Sequence, residues 1–365
     1  MDNVDTKQKE EKRREDRKLT RTFLDDLESP DLSQSFKRDL ADVYNFYLDR
    51  ESRDKLEEMN PFEQWIHVSF WIIREMFFRM TPVRRLMLVV GLFLALTAFY
   101  GPVGQSFVAL LVILTVLILE LKDKLLAQSE LATGRAVQLA LMPDSAPVVD
   151  GWDVWIYSRP ANEVGGDLVD HMVVGPGRFS VSLGDVAGKG LGAAMYMAKL
   201  QATIRALAPT TDSLIDLAGH INSIFRRDGV PSRFASLIYL ELAEGTNEVS
   251  ILNAGHLPAL HLSRDGIEAY PHGSPAIGLM DEASFSAVET TMASGDVLVL
   301  YSDGITEARD TESEFFGDRR LEKLLKRGSG KPAGELGRDI IEAVDRFVQD
   351  APQYDDVSLV IIRKS

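Results

Sequence analysis

Between Arg85 and Glu120 the chain carries no charged residue, and so long an apolar stretch has to lie in a hydrocarbon layer or inside a protein. It is broken once, at Tyr100-Gly-Pro-Val-Gly-Gln-Ser106, which separates LMLVVGLFLALTAFY from FVALLVILTVLIL. About 17 residues at roughly 1.5 Å each cover about 26 Å, just under a hydrocarbon core of ~30 Å. The pattern therefore predicts a two-helix transmembrane hairpin over residues 83–121. Arg84, Arg85, Lys122 and Lys124 flank its outer ends while the turn is uncharged. That asymmetry predicts a multi-pass protein of the inner (cytoplasmic) membrane with both termini in the cytoplasm. Two helices buried in a soluble core are the alternative, which the shortness of each span keeps open. The N-terminus, MDNVDTKQKEEKRRED, lacks the apolar h-region of a cleavable signal peptide.

Residues 1–82 read as a cytoplasmic helical region. Its first 60 residues are highly charged and carry no assignable chemistry. From Pro61 to Met80, Trp65, Ile66, Phe70, Ile73 and Phe77 fall on one side of a helix, which suits either the membrane interface or packing on the helices before it. After the second span, a linker helix over 122–145 continues an alternating 3/4 stripe of Ile118, Leu121, Leu125, Gln128, Ala132, Arg135 and Leu139. The stripe predicts a homodimer through paired linkers, with packing on the following domain as the alternative; Gly134 weakens it. Met142-Pro143-Asp144 and Ala146-Pro147 end the helix.

The remaining 146–365 change character. Short β-rich runs (VWIYSR, RFSVSLGD, ASLIYLEL, EVSILNAG, ALHL, FSAVETT, DVLVLYSD, DVSLVII) are joined by turns such as Glu244-Gly-Thr-Asn247 and Arg264-Asp-Gly266. Helical patterns occur at roughly 190–207, 212–228, 318–328 and 333–349. Strands linked by hairpins predict an α+β fold with an antiparallel β-sandwich flanked by helices, not a doubly wound sheet. A formal net charge of −15 speaks against nucleic acid as a partner. With no cysteine, and six histidines in no His-x-x-x-His spacing, thiolate and zinc-type sites are excluded and oxygen ligands remain.

Those oxygens are conspicuous. Asp167 follows Gly165-Gly166, Asp185 ends FSVSLG, Asp303 ends VLVLYS, and Asp355-Asp356 opens the last strand. A single Asp-Gly is usually a turn. Four acidic positions at the ends of apolar or Gly-rich segments of one domain point instead to a hard divalent cation, Mn²⁺ or Mg²⁺. Gly184-Asp-Val-Ala-Gly-Lys-Gly190 is not a phosphate-binding P-loop, because its lysine precedes Gly190 and no Ser or Thr follows it.

In this order, Val164-Gly-Gly-Asp167, Gly184 to Gly190, Asn253-Ala-Gly-His256-x-Pro258, Ser302-Asp-Gly-Ile-Thr-Glu307 and Asp355-Asp-x-Ser358 resemble the signature blocks of the PPM superfamily of metal-dependent Ser/Thr protein phosphatases, in its bacterial SpoIIE/RsbU branch. Gln138 to Pro143 is similar to that branch's helix entering the domain. The resemblance implies a β-sandwich flanked by helices holding two Mn²⁺ or Mg²⁺ ions. It implies that Asp185 bridges both ions with the Val186 carbonyl as a further ligand, that Asp303 and Asp355 complete one ion, and that Asp167 holds the other directly or through water. Asp356 is the rival for the place given to Asp355. The chain departs from the pattern at Leu168 and Val169, where aromatics are common, and at Lys189, where the branch often has His. Lys189 is either a contact for substrate phosphate or a solvated loop residue; His256 is a proton donor or a packing element; Glu307 either tunes the site or favours a helix dipole.

The resemblance further implies hydrolysis of phosphoserine or phosphothreonine on a signalling protein, usually a STAS-type anti-sigma-factor antagonist. A membrane-bound scaffold that binds a phosphoprotein without turnover is the alternative.

Overall fold

A computed structural model of the chain describes residues 60–98, 102–141, 148–229, 233–270 and 273–365. The charged N-terminal stretch and the Pro143 and Pro147 turns lie outside them. The chain divides after Lys124 into two compact units.

In the first unit, helix α1 (Pro61–Arg79) begins where the Asn60 side chain accepts a hydrogen bond from the Glu63 amide at 3.0 Å. Helix α2 (Pro82–Thr97) runs antiparallel to the start of α3 (Val103–Leu141). Arg84 pairs with Glu120 at 3.0 Å and Asp123 at 2.7 Å, and Gln105 reaches the Leu94 carbonyl at 3.4 Å and the Thr97 hydroxyl. Between these contacts a methyl group at Gly91 would lie 3.0 Å from Ile113, so the missing side chain lets the helices close up. Leu86, Phe93, Leu96, Phe107, Leu110 and Leu117 stay exposed, which makes the pair apolar all round. Residues Gly104–Leu141 form a helix long and apolar enough to cross a membrane.

The second unit is built on two five-stranded sheets. One has the order β1-β10-β9-β6-β7 and contains β1 (Trp152–Arg159), β6 (Ala259–Ser263), β7 (Gly266–Tyr270), β9 (Val297–Tyr301) and β10 (Val357–Lys364). The other has the order β2-β3-β4-β5-β8, from β2 (Leu168–Gly175), β3 (Arg178–Val186), β4 (Ala235–Ala243), β5 (Glu248–Ala254) and β8 (Ala287–Thr291). Every neighbouring pair is antiparallel. Because strand side chains alternate, Val181 and Leu183 of β3, Ile238 and Leu240 of β4, Leu298 and Leu300 of β9 and Val360 and Ile362 of β10 form one dry layer between the sheets. The opposite face of the second sheet packs on α4 (Leu191–Leu207) and α5 (Leu214–Arg227) through Leu237, Tyr239, Leu200 and Ile221. That of the first packs on α7 (Asp318–Arg327) and α8 (Ala333–Val348) through Val299, Ile361, Leu325 and Ile340, while a short helix α6 (Asp303–Thr306) follows β9. Central strands buried on both faces explain the unbroken apolar runs VLVLY and VSLVII.

The antiparallel sandwich flanked by helices is thus as the hairpin spacing predicts. One strand, β2, gives no such signal, because Asp170 and His171 interrupt its alternation. In the fold Asp170 is buried, and its carboxylate accepts hydrogen bonds from Arg205 of α4 at 2.7 and 2.6 Å. A buried carboxylate paired with a largely exposed arginine has replaced the apolar residue that the pattern demands.

Helix α8 comes so close to β1 that a methyl group at Gly337 would meet the Trp155 ring at 2.1 Å. Gly337→Ala should therefore cost about 1–3 kcal/mol through overpacking, read as a lower urea midpoint with an unchanged m-value.

Candidate metal centre

The register of each antiparallel pair brings strand ends together. Leu168 at the start of β2 stands opposite Gly184 near the end of β3, and Tyr301 at the end of β9 stands opposite Leu359 near the start of β10. Asp167, Asp185, Asp303, Asp355 and Asp356 thereby gather at one end of the sandwich. Gly166 faces this space. A methyl group there would lie 3.4 Å from both Asp185 Oδ1 and the Val186 carbonyl oxygen, so glycine keeps open a cradle lined by two oxygens. Gly304 allows a similar approach, since a methyl group would overlap the Asp356 carbonyl oxygen at 2.0 Å.

Asp356 is the residue whose part the sequence does not reveal. Its Oδ1 accepts from the Ala161 amide at 2.7 Å, and its Oδ2 accepts from the Gly166 and Asp167 amides at 2.5 and 3.2 Å. It is buried and spent on backbone, tying the loop before β2 to the start of β10. Asp355, by contrast, is half-exposed, with Oδ2 turned to Lys189 Nζ at 3.1 Å. The same loop is gripped from its other side by Gln138 of α3, whose amide donates to the Gly165 carbonyl and accepts from the Gly165 N–H, both at 3.0 Å. Gly134, one turn earlier, is a close-approach position too: a methyl group there would strike Leu191 at 2.6 Å. Beneath the acids, the fully buried Ser302 hydroxyl donates to the Asp356 carbonyl and accepts from the Ser358 amide, both at 2.9 Å.

The electrostatics record the crowding. Burial, then the charges of Asp303, Asp355 and Asp356, push Asp185 up to about 6. Burial followed by Asp355 and Glu307 raises Asp303, and burial above all raises Asp167 well above the usual carboxylate range. Asp167 Oδ2 is buried with no hydrogen-bond partner. An orphaned carboxylate oxygen is costly unless a cation or proton serves it.

Among the described residues, no three His, Asp or Glu side chains converge closely enough, as placed, to close around one ion. The reason is visible in the partners: Asp355 leans towards Lys189 and Asp356 is consumed by amides. The donor set still fits a hard divalent cation. It offers only oxygens, an orphaned one at Asp167, and the cradle of Asp185 Oδ1 and the Val186 carbonyl. Asp355 would have to exchange Lys189 for that cation, and an exposed ion pair of this kind, worth about 0–1 kcal/mol, offers little resistance.

Lys189 Nζ also donates to the Tyr354 carbonyl at 2.7 Å. It is therefore an exposed residue of the site's rim that pairs with Asp355 and the Tyr354 carbonyl. His256 lines an open cleft of about 470 Å³ together with Asp185, Ser236, Asp303 and Glu307. Burial lowers its imidazole to about 4, the Tyr301 carbonyl opposing only in part, so it is neutral at pH 7. Its Nδ1 shares a hydrogen bond with Ser236 Oγ at 2.8 Å, and its amide donates to Asn253 Oδ1 at 2.8 Å, as a packing element does. Glu307 caps the C-terminal end of α6, not its N-terminal end, and acts on Asp303 by charge.

Residues 175–365 match the family model described as Stage II sporulation protein E. The chain belongs to the SpoIIE family. It is 28% identical over 295 residues to Protein IcfG of Synechocystis sp., covering 73% of this chain and 46% of IcfG. It is 25% identical over 239 residues to the phosphoserine phosphatase RsbU of Bacillus subtilis, covering 65% of this chain and 70% of RsbU. The chain thus spans under half the length of the first relative. Among solved structures, the SiaA-PP2C domain of Pseudomonas aeruginosa is similar with a TM-score of 0.58 at 18% identity, over 67% of this chain and 99% of that domain. The fold of the second unit is accordingly that of a PP2C domain. Asp185, Asp303 and Asp355 lie within the SpoIIE match, whereas Gln138 and Asp167 precede it.

Two outcomes follow for the isolated acids. An unfolded aspartate titrates near about 3.9, below the folded Asp185, so between roughly pH 4 and 6 the native state holds the extra proton and stability falls as pH rises. In EDTA the melting temperature should decline across that window, and Asp185→Asn should flatten the decline. Removing either grip on the loop, by Asp356→Ala or Gln138→Ala, should weaken Mn²⁺ binding about 10–100-fold in calorimetric titration while the far-UV spectrum is kept.

Proposed function

We propose that this chain is a membrane-tethered, metal-dependent protein phosphatase that hydrolyses phosphoserine or phosphothreonine on a signalling protein, a STAS-type anti-sigma-factor antagonist being the favoured substrate. The observation that carries the reading is Asp185, half-buried at the end of β3 beside the Val186 carbonyl and raised by desolvation first and then by Asp303 and Asp355. Membership of the SpoIIE family and the name of the relative RsbU, a phosphoserine phosphatase, support it.

Two Mn²⁺ or Mg²⁺ ions bound there would supply an activated water for in-line attack at phosphorus and neutralise charge on the phosphoryl oxygens. The residues that would hold them are Asp185, the Val186 carbonyl, Asp303, Asp355 and Asp167. Asp356 positions: it fixes the amides of Gly166 and Asp167 and so the direction of Asp167. Lys189, paired with Asp355, is a counter-ion that turns to substrate phosphate once Asp355 is otherwise engaged. Ser236 and neutral His256 form the far wall of the cleft.

The scaffold reading draws on one observation, that Asp355 already has a cationic partner in Lys189. Turnover separates the two. Wild type with Mn²⁺ should hydrolyse p-nitrophenyl phosphate and a phosphoserine protein, and Asp185→Asn should lose several kcal/mol of catalysis, on the order of a thousandfold in rate. No hydrolysis by wild type with any divalent ion would leave only the scaffold.

The apolar pair α2 and α3, and the exposed Phe70, Ile73 and Phe78 of α1, support the multi-pass membrane location with an interfacial first helix. The linker stripe at Leu121, Leu125 and Leu139 is exposed, whereas Gln138 beside it is buried, which supports a homodimer through the outward face of the linker.

A further inference from the structure

A second pocket opens beside the acidic site. Its walls are Ala308, Val344, Val348, Pro352 and Val357, and its mouth is shared with the site through Lys189, Gly304, Glu307 and Asp355. At about 160 Å³ it is far smaller than the roughly 300–1,000 Å³ of small-molecule sites, and suits one side chain rather than a metabolite. Val344 and Val357 at its base belong to the core, so the floor is rigid. Gln353 holds one wall, donating to the Arg159 carbonyl at 3.1 Å and the Asp355 carbonyl at 2.8 Å.

Over the rim lies an exposed stack. The Arg309 guanidinium sits 4.9 Å from the Phe315 ring centre and 5.0 Å from that of Tyr354, and both rings are about half exposed, at 46% and 56%. The loop carrying Arg309 and Phe315 is braced by the Phe316 amide donating to the Ala308 carbonyl at 2.8 Å, and by Asp310 accepting from the Glu312 and Glu314 amides at 2.9 Å. No carboxylate pairs with Arg309 among the described residues. A cation between two wet rings, next to a small hole whose aliphatic walls also carry Arg159, is suited to a polypeptide lying across it.

We propose that this pocket is a specificity site for the protein substrate: it takes an aliphatic side chain two residues from the phosphorylated Ser or Thr, and Arg309 meets an acidic residue of the same segment. Resting on the phosphatase reading above, the inference adds which sequence is selected. An extended segment places alternate side chains on one face about 7 Å apart, so the phosphoresidue enters the acidic cleft and its second neighbour the pocket. Lys189 is paired with Asp355 at the mouth, which leaves Arg309 as the cation that an acidic residue complements, and the aromatic rings supply flat contact area at small entropic cost.

The test uses full-length protein in detergent with Mn²⁺ and synthetic phosphoserine peptides carrying Leu or Gly at the second position on either side, each with a flanking Glu or Lys. The Leu/Glu peptide should exceed the Gly and Lys peptides about tenfold in kcat/KM, through KM. Val348→Phe, which fills the pocket, and Arg309→Ala should erase that preference while p-nitrophenyl phosphate turnover changes less than about twofold. Equal rates for all peptides, or parallel losses on peptide and p-nitrophenyl phosphate, overturn the proposal. Fluorescence anisotropy of the Leu/Glu peptide reads the pocket without turnover. Binding that Val348→Phe abolishes in a protein that hydrolyses nothing would keep the pocket and reject the phosphatase; hydrolysis with no peptide preference would do the reverse.

Discussion

Carboxylates crowded into a partly dry corner repel one another, and the second unit has to hold them there against that repulsion. It does so with rigid strand ends and with backbone amides. Asp356 is the centre of this arrangement: its three amide partners belong to the loop that carries Asp167, while its own carbonyl is fixed by Ser302. One side chain with no other work thus joins the two sheets at the place where their acids meet. Burial first and mutual repulsion second raise the carboxyl groups at Asp185, Asp303 and Asp167, and a cation held among them would relieve that repulsion.

Around this corner the fold separates tasks by element. Asp185 lies in the end of β3 and Asp303 opens α6 two residues after β9, so both acids are held close to the central strands. Asp167 and Asp355 lie in loops and depend on local hydrogen bonds for direction. Gln138 ties the Asp167 loop to α3, since both polar groups of Gly165 are satisfied by that single amide. Losing it would strand a buried N–H and a C=O together, a penalty of about 1–3 kcal/mol for each.

Much of this was legible in the residues. Period-2 runs and turn residues predict the hairpins and the sandwich, and helix boundaries such as Leu191–Leu207 and Ala333–Val348 fall within a few residues of the apolar periodicity. The acids at strand ends, and the glycines beside them, announce a site whose residues the register then gathers. What stayed hidden depends on contacts between distant segments. β2 was concealed because Asp170 finds Arg205, a partner that lies in the helix after next-strand β3. The division of labour between Asp355 and Asp356 hangs on which carboxylate faces amides, and two adjacent identical letters cannot convey it. Likewise, Gln138 and Arg309 look like ordinary polar residues until Gly165 in one case, and Phe315 with Tyr354 in the other, are seen beside them.

Among the described residues strand β10 follows the other nine strands in sequence, yet it lies between β1 and β9, and Asp355 and Asp356 lead into it. During synthesis a ribosome therefore releases the acids of β3 and β9 well before the strand that unites their neighbourhoods. The β2–β5 hairpins can pair without that segment, whereas the corner that gathers the acids cannot form until it lies between β1 and β9.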